Sequence, residues 1–178
     1  MKIRWNRLKL YLLVTLAATA VCGCQTSGKT NPKKQFATLR LHLEASSDGT
    51  KSNEPVPIYR EKPIMVNIEK TPFLTEGNVA EARVTDAMGG FALHIRFDHS
   101  GAALFEEYTA SNRGRRIAVH SQFGEKMKDS RWLAAPRISR RVSDGVFDFT
   151  PDATRAEADE IALGLNNVAR KVQGWIDR

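Results

Sequence analysis

Cysteine is almost absent from this sequence. The 178 residues include only Cys22 and Cys24, which one glycine separates. A metal or redox site built on such a pair needs further cysteine or histidine ligands nearby, and the surrounding sequence supplies none. This scarcity excludes a disulfide-stapled scaffold and a cysteine-ligated zinc domain, so the pair needs another explanation.

Long apolar runs are also missing. The apolar stretch 10–21 contains twelve uncharged residues, whereas a membrane-spanning helix needs about 20. It follows a basic segment, MKIRWNRLK, that contains no acidic residue. A basic start, a short apolar core and small residues at its end are typical of an export signal. We therefore interpret residues 1–23 as a signal peptide.

The signal ends in Val21-Cys22-Gly23-Cys24, which resembles the lipobox of bacterial lipoproteins. The resemblance implies cleavage after Gly23, attachment of a diacylglycerol to the Cys24 thiol, and acylation of the new amino terminus. Three acyl chains would hold the protein at a membrane, because each buried methylene contributes about 0.8 kcal/mol. Gln25 stands where Asp would resemble an inner-membrane retention signal. We expect a lipid-anchored envelope protein that faces the periplasm, on the outer membrane of a two-membrane cell.

A large excess of positive charge is lacking once the signal peptide is removed. The whole chain has a net charge of +7, but the signal contains four of the 27 basic residues and none of the 20 acidic ones. The mature chain therefore has 23 basic against 20 acidic residues, a net charge of +3. Nucleic-acid binding requires a concentrated basic face, so we expect no nucleic-acid partner.

The mature chain divides into a tether and one domain. Residues 24–35 are polar and offer little to bury, which is typical of a flexible tether. The remaining residues, 36–178, suit one domain of ordinary size. Residues 138–142 fit either a helical turn or a strand. Alternating apolar and polar residues predict strands at 36–44, 56–60, 64–68, 82–87, 91–97, 116–123, 131–135 and 145–149.

Two longer segments have helical periodicity. Ser100 is expected to cap the first helix, which runs to about Ser111, and Thr150-Pro151-Asp152 is expected to start the second. The second helix has an apolar stripe at steps of three and four residues: Ile161, Leu165, Val168, Val172 and Trp175. We interpret this stripe as core cover on a sheet, with a partner-binding face as the alternative. These elements predict an α+β fold, a mostly antiparallel sheet with two main helices packed on one face.

Catalytic motifs are missing as well. The sequence contains neither a nucleophile elbow nor a phosphate-binding glycine loop. Its four histidines are His42, His94, His99 and His120. His94 and His120 lie on the outward faces of separate predicted strands and could meet if those strands are neighbours, but no third metal ligand is suggested. We therefore expect no enzyme activity, no catalytic residue, no metal and no cofactor.

Arginines are concentrated in two short stretches of the domain. If these stretches converge in space, their side chains could bind anionic headgroups or an acidic partner; otherwise they form a solvated surface. The candidate contact residues are Arg113, Arg115, Arg116, Arg137, Arg140 and Arg141.

Two stretches, FALHIRFDHSGAALFEEYTASNRGRRIAVH and LAAPRISRRVSDGVFDFTPDATRAEADEIALGL, resemble the head of the first periplasmic domain of SecD, a subunit of the bacterial protein-export machinery. The resemblance covers about residues 57–170 and implies the same α+β fold. The matching residues are mainly turn glycines and apolar core residues: Gly101, Phe105, Thr109, Asn112, Gly114, Ile117, Ala118, Ala135, Pro136, Ile138, Val142, Gly145, Phe149, Ala158, Ile161, Ala162 and Leu165.

The resemblance implies a head that contacts extended or unfolded polypeptide during export. Asp148 replaces a glycine of the family pattern, and the loop FGEKMKDSRW is longer than its counterpart. SecD couples export to the proton gradient through transmembrane helices, which we do not expect here, so energy coupling is not carried over. The function predicted is a non-enzymatic binding module acting on envelope polypeptides. The alternatives are a structural subunit of an envelope complex, or a small-ligand or hydrolytic protein whose site forms only in three dimensions.

Lipidation at Cys24 can be tested directly. The substitution Cys24→Ser removes the thiol that would be acylated, so the protein should remain unprocessed or become soluble. Cell fractionation and intact mass measure both results. If the variant still fractionates with membranes at the mature mass, the lipoprotein interpretation is wrong.

Overall fold

A computed structural model describes residues 34–46 and 52–176. The predicted signal peptide, Cys24 and all but the last two residues of the predicted tether lie outside these residues. The predictions made for them therefore remain predictions.

Two helices and nine strands form the described part of the chain. The helices are α1 (His99–Ser111) and α2 (Arg155–Ile176). The strands are β1 (Arg40–Leu43), β2 (Asn53–Ile58), β3 (Ile64–Glu69), β4 (Leu74–Thr75), β5 (Val79–Ala87), β6 (Gly90–Phe97), β7 (Ile117–Phe123), β8 (Asp129–Ala134) and β9 (Val146–Phe149). Short 3-10 helices lie at Glu76–Asn78 and Glu125–Met127.

The strands form three sheets, with the orders β4-β1-β7-β8, β2-β3 and β5-β6-β9. All the strand pairs in these sheets are antiparallel. The α+β prediction is confirmed, although the strands are divided among three sheets instead of one.

The main core lies between the four-stranded sheet, the three-stranded sheet and the two helices. Apolar side chains from each element meet there at 1% exposure or less: Leu41 of β1, Ile95 of β6, Phe105 of α1, Val119 of β7 and Ile161 of α2. Full burial of one such side chain contributes about 1.5–3 kcal/mol. This shared core fixes the helices relative to both sheets.

A second, smaller core covers the opposite face of the four-stranded sheet. Successive strand residues point to opposite faces, so Val119 enters the main core while Ala118 packs with Ile58 and Ile68 of the β2–β3 hairpin. The rings of His42 and His120 lie 5.3 and 4.9 Å from the ring of Trp132, which packs against this core. Both faces of the sheet are therefore covered.

Both helices begin at residues other than those predicted. Asp98, rather than Ser100, caps α1, because its carboxylate accepts a 2.7 Å hydrogen bond from the Gly101 amide. Helix α2 starts at Arg155, not at Thr150-Pro151-Asp152. Thr154 and Glu157 form a reciprocal capping pair there: the Glu157 carboxylate accepts from the Thr154 amide at 2.7 Å, and the Thr154 hydroxyl accepts from the Glu157 amide at 3.3 Å.

The apolar stripe of α2 covers the core only along its first part. Ile161 and Leu165 are fully buried, whereas Val172 is 36% and Trp175 is 81% exposed. The prediction of core cover is therefore wrong for Val172 and Trp175. The helix has 22 residues, about 33 Å at 1.5 Å per residue, and residues 170–175 near its end are all exposed.

The close contact between α2 and residues 36–37 can be tested at Gly164. A Cβ atom there would lie 2.6 Å from the Ala37 amide nitrogen and 2.7 Å from the Phe36 carbonyl carbon. Gly164→Ala should therefore lower the free energy of unfolding by about 1–3 kcal/mol, the usual cost of overpacking. Urea denaturation measures this change.

Gly174→Ala on the same helix is the matched control. Its Cβ would meet no atom within 4 Å, so replacement of a helical glycine should raise the free energy of unfolding by about 0.5–1 kcal/mol. If the two substitutions changed the free energy of unfolding equally, the close contact between Gly164 and residues 36–37 would be contradicted.

The second core predicts a loss of stability in mild acid. Burial lowers the pKa of both His42 and His120 below 6.5, although for His42 a hydrogen bond to the Glu69 carbonyl acts in the opposite direction. The folded protein thus favours neutral rings, and the unfolded chain takes up protons first. The contribution of the two rings to the free energy of unfolding should be complete at about pH 7.5 and should fall as the pH drops through 6.5.

The variant His42→Asn/His120→Gln keeps an amide near the hydrogen-bonding position of each ring but does not titrate. Thermal unfolding between pH 7.5 and 5 should show a weaker pH dependence than in the parent protein. If the double variant showed the same pH dependence of unfolding as the parent protein, groups other than His42 and His120 would be responsible for it.

Candidate functional site

The two arginine stretches converge on one surface. Residues 114–117 pair with residues 136–138 through three backbone hydrogen bonds: Gly114 N to Ile138 O at 2.8 Å, Ile138 N to Arg115 O at 2.9 Å, and Ile117 N to Pro136 O at 2.9 Å. This pairing lies at the end of the four-stranded sheet where Leu43 opposes Ile117. All six candidate arginines therefore lie near that end.

Three of the six arginines are engaged by carboxylates. Arg115 lies 3.1 Å from Glu69, Arg116 lies 4.0 Å from Glu44, and Arg141 pairs with Glu106 of α1. The ion pairs neutralise much of the charge that the sequence suggested. These side chains attach loops to the body of the domain.

The other three, Arg113, Arg137 and Arg140, form what we term the arginine surface. Within residues 34–46 and 52–176, no carboxylate pairs with any of them. Arg137 donates a 2.7 Å hydrogen bond to the Gly114 carbonyl, which leaves its remaining guanidinium donors available. The arginine surface is therefore the part of the cluster that can receive an anionic group.

A cleft of about 210 Å³ lies beside this surface. We term it the β9 groove, because β9 forms one wall, residues 136–142 form the other, and α1 closes the base. Its lining combines an apolar floor with a charged and polar rim: Phe105, Thr109, Ile117, Pro136, Arg137, Ile138, Ser139, Arg140, Val142, Asp144, Val146, Phe147 and Asp148. An apolar floor with a polar rim suits a ligand that has both characters.

Residues 138–142 form neither the helical turn nor the strand that the sequence left open, and they belong to the irregular segment 136–142. Pro136 lacks an amide donor, and a threonine of α1 holds the far end of the segment. The buried Thr109 hydroxyl accepts from the Val142 amide at 3.0 Å and donates to the Phe105 carbonyl at 2.7 Å. These contacts keep the segment irregular and leave the groove open between it and β9.

Strand β9 has an outer edge that no strand of the described chain pairs with. Phe147 opposes Ile95, and the Phe97 amide bonds to the Gly145 carbonyl at 3.0 Å, so alternate residues of β9 direct their backbone groups toward β6. The intervening residues, Val146 and Asp148, direct theirs outward. The Val146 amide is satisfied by Asp144 at 3.1 Å. The Val146 carbonyl and both backbone groups of Asp148 point outward along the groove side of the strand.

His94 and His120 do not meet, because they lie on β6 and β7 in different sheets. His94 lies 2.8 Å from Asp148 and 3.3 Å from Arg83, whereas His120 contacts Trp132 and lies 3.0 Å from Ser130. Among the described residues, no three His, Cys, Asp or Glu side chains are placed to bind a metal ion.

One contact that the sequence did not suggest holds the β2–β3 hairpin in place. Asp152, expected to start a helix, instead accepts hydrogen bonds from the Arg60 amide at 2.7 Å and from its guanidinium at 3.1 Å. Burial opposes ionisation of Asp152, but the hydrogen bonds from Arg60 outweigh it and lower the pKa of this carboxyl. No local motif links residues so far apart, so only the structure reveals the pair.

Neither helix of the described chain is long and apolar enough to cross a membrane.

Curated relatives share sequence with a large part of this chain. SecD of Rhodobacter capsulatus is 29% identical over 114 residues, which are 64% of this chain and 19% of that protein. SecDF of Thermus thermophilus is 34% identical over 97 residues, which are 54% of this chain and 12% of that protein. The chain thus spans a fifth or less of the length of these two relatives.

Solved structures share its fold. A SecDF in a super-membrane-facing form superposes with a TM-score of 0.54 at 23% identity, covering 75% of this chain and 19% of that one. A SecDF described as a membrane component that enhances protein export gives a TM-score of 0.53 at 24% identity, covering 75% of this chain and 63% of that one. The family model of the SecDF P1 head subdomain matches residues 52–169, so the chain belongs to the SecDF P1 head family.

Proposed function

We propose that this protein is a lipid-anchored, non-enzymatic envelope protein whose head domain binds extended polypeptide segments during or after export. The observation that carries the proposal is the open outer edge of β9 beside the apolar β9 groove. In this proposal, acylated Cys24 attaches the domain to a membrane, and Gln25 favours the outer membrane.

Strand addition is the binding mode that suits this edge. An extended peptide can pair with the outward backbone groups of Val146 and Asp148, and the main-chain bonds supply affinity for many sequences. Every second side chain of that peptide would point toward the groove, where Ile117, Ile138 and Phe147 are largely buried apolar residues. The mode therefore favours peptides with alternating apolar residues.

The arginine surface would add a preference for acidic side chains. Arg137 and Arg140 belong to the lining of the groove. Of the two acidic residues in the same lining, Asp148 pairs with His94 and Asp144 accepts the Val146 amide. A peptide carboxylate beside the groove would thus meet the guanidinium groups of Arg137 and Arg140, which do not form ion pairs with Asp144 or Asp148.

The family supports a role in export but does not supply the whole activity. The relatives are SecD and SecDF translocase subunits, and this chain corresponds to a small share of each. What the proposal carries over is contact with polypeptide, without energy coupling.

A catalytic role is not part of the proposal. The groove lining contains no histidine, cysteine or lysine, and its two aspartates already contact His94 and the Val146 amide, so the proposal gives the hydroxyl groups of Thr109 and Ser139 no catalytic partner. The Thr109 hydroxyl also already donates to a backbone carbonyl.

Blocking the outer edge of β9 tests the proposal. The substitution Asp148→Pro removes an amide that points outward, and edge strands tolerate proline at such positions. Binding of a fluorescent peptide with alternating apolar and acidic residues should weaken about five- to tenfold, because one backbone hydrogen bond contributes roughly 1 kcal/mol. Fluorescence anisotropy measures the dissociation constant.

Asp148→Ala is the matched control, since it removes the same carboxylate but keeps the amide, and its affinity should stay close to that of the parent. The double variant Arg137→Glu/Arg140→Glu should instead favour a peptide in which lysines replace the acidic residues. If the proline variant binds as tightly as the parent, or the parent binds neither peptide, the proposed function is wrong.

A further inference from the structure

The last turns of α2 carry an exposed apolar pair. Val172 and Trp175 continue the stripe that is buried at Ile161 and Leu165, but they are 36% and 81% exposed. A tryptophan combines a large apolar ring with a polar N–H group, so an exposed one is suited to a boundary between apolar and aqueous phases. This exposed pair is therefore a candidate contact for an apolar or interfacial surface outside the domain.

The chain that leads toward Cys24 leaves the domain beside the same turns. The Asn167 side-chain amide donates to the Gln35 carbonyl at 2.8 Å, and the Lys171 ammonium lies 3.8 Å from the centre of the Phe36 ring. Only residues 25–33 separate Cys24 from Lys34, the first described residue, and the ten Cα–Cα steps between them span at most about 35 Å. An anchor at Cys24 would thus keep these turns close to a bilayer.

The charges around the exposed pair suit an anionic lipid surface. Residues 167–175 include two basic side chains, Arg170 and Lys171, and no acidic side chain. Lys34 precedes the point where the chain joins the domain. Long basic side chains can lay their apolar stems along a membrane interface and reach the phosphates with their charged ends.

The β9 groove lies at the opposite end of the four-stranded sheet. The groove borders Ile117, which opposes Leu43, whereas Phe36 enters near Thr38, whose amide bonds to the Gln122 carbonyl. Ile117 and Gln122 lie five residue steps apart along β7, about 17 Å at 3.4 Å per residue. A bilayer at the entry end therefore leaves the groove facing away from the membrane.

We propose that Val172 and Trp175 insert into the headgroup region of an anionic phospholipid bilayer beside the lipidated Cys24. This contact orients the domain so that the β9 groove opens toward the periplasm. The proposal rests on the lipid anchor of the proposed function and adds a second, protein-mediated membrane contact. It assigns the arginine surface to polypeptide and not to lipid.

Tryptophan fluorescence tests this contact in the lipidated protein produced from the full sequence. Signal cleavage would remove Trp5, and the variant Trp5→Phe/Trp132→Phe keeps Trp175 as the single tryptophan whether or not the signal is cleaved. It is purified in detergent and reconstituted into phosphatidylethanolamine–phosphatidylglycerol vesicles whose acyl chains carry bromine near the headgroups. The emission of Trp175 should shift to shorter wavelength and lose most of its intensity in the brominated vesicles.

The matched control is Trp5→Phe/Trp175→Phe, which keeps only Trp132, a residue on β8 that packs in the second core. Its emission should be unaffected by bromine. Replacing phosphatidylglycerol with phosphatidylcholine should reduce the quenching of Trp175, since the basic residues then lose their counterpart. Emission of Trp175 at the wavelength of a water-exposed ring, quenched by aqueous iodide but not by bromolipid, overturns the proposal and leaves the face to a protein partner.

The mass of the same preparation separates this result from failure of the anchor. If Cys24 carries acyl chains and Trp175 stays in water, only the membrane contact of α2 is wrong. If Cys24 carries none, the lipid anchor is wrong, and quenching of Trp175 by added brominated vesicles then supports or overturns the contact independently.

Discussion

Burial of β7 on both faces is the constraint on which the rest of the domain depends. Ile117 and Val119 enter the main core with the helices, while Ala118 packs beneath the β2–β3 hairpin. Because side chains alternate along a strand, a shift of one residue in register would exchange these two sets. The register of β7 against β1 and β8 therefore fixes both cores, and with them the positions of the hairpin and of the helices.

The candidate site results from what this arrangement leaves unpaired. The three-stranded sheet ends at β9, and residues 136–142 cannot complete it, since Thr109 of α1 and backbone pairing with residues 114–117 hold them elsewhere. A groove with an open strand edge remains. The same pairing brings the two arginine stretches together, and neighbouring carboxylates then engage three of the six guanidinium groups. On this one surface, three arginines attach loops to the domain, and the other three are available to contact a ligand.

Sequence patterns located most elements but not their ends. Helix starts were predicted at Ser100 and at Thr150-Pro151-Asp152, since each has the residue types of a cap. The residues that cap the helices are Asp98 and Thr154. Their residue types are as favourable for capping as those predicted, and they are the caps because the preceding strand and loop end at these positions. For Asp152, a distant partner, Arg60, takes up the carboxylate. Such long-range competition is not encoded in local spacing.

The sequence by itself determined the fold class, the two helices, most strands and the family, because periodicity and turn residues are local properties. Only the tertiary structure decided which arginines are neutralised, that the two stretches meet, and that β9 keeps an open edge beside a groove. It also decided that the apolar stripe of α2 is buried only in its first part, so that Trp175 is exposed. The physical reason is that ion pairing, edge exposure and burial depend on what other elements supply, and a single segment does not contain that information.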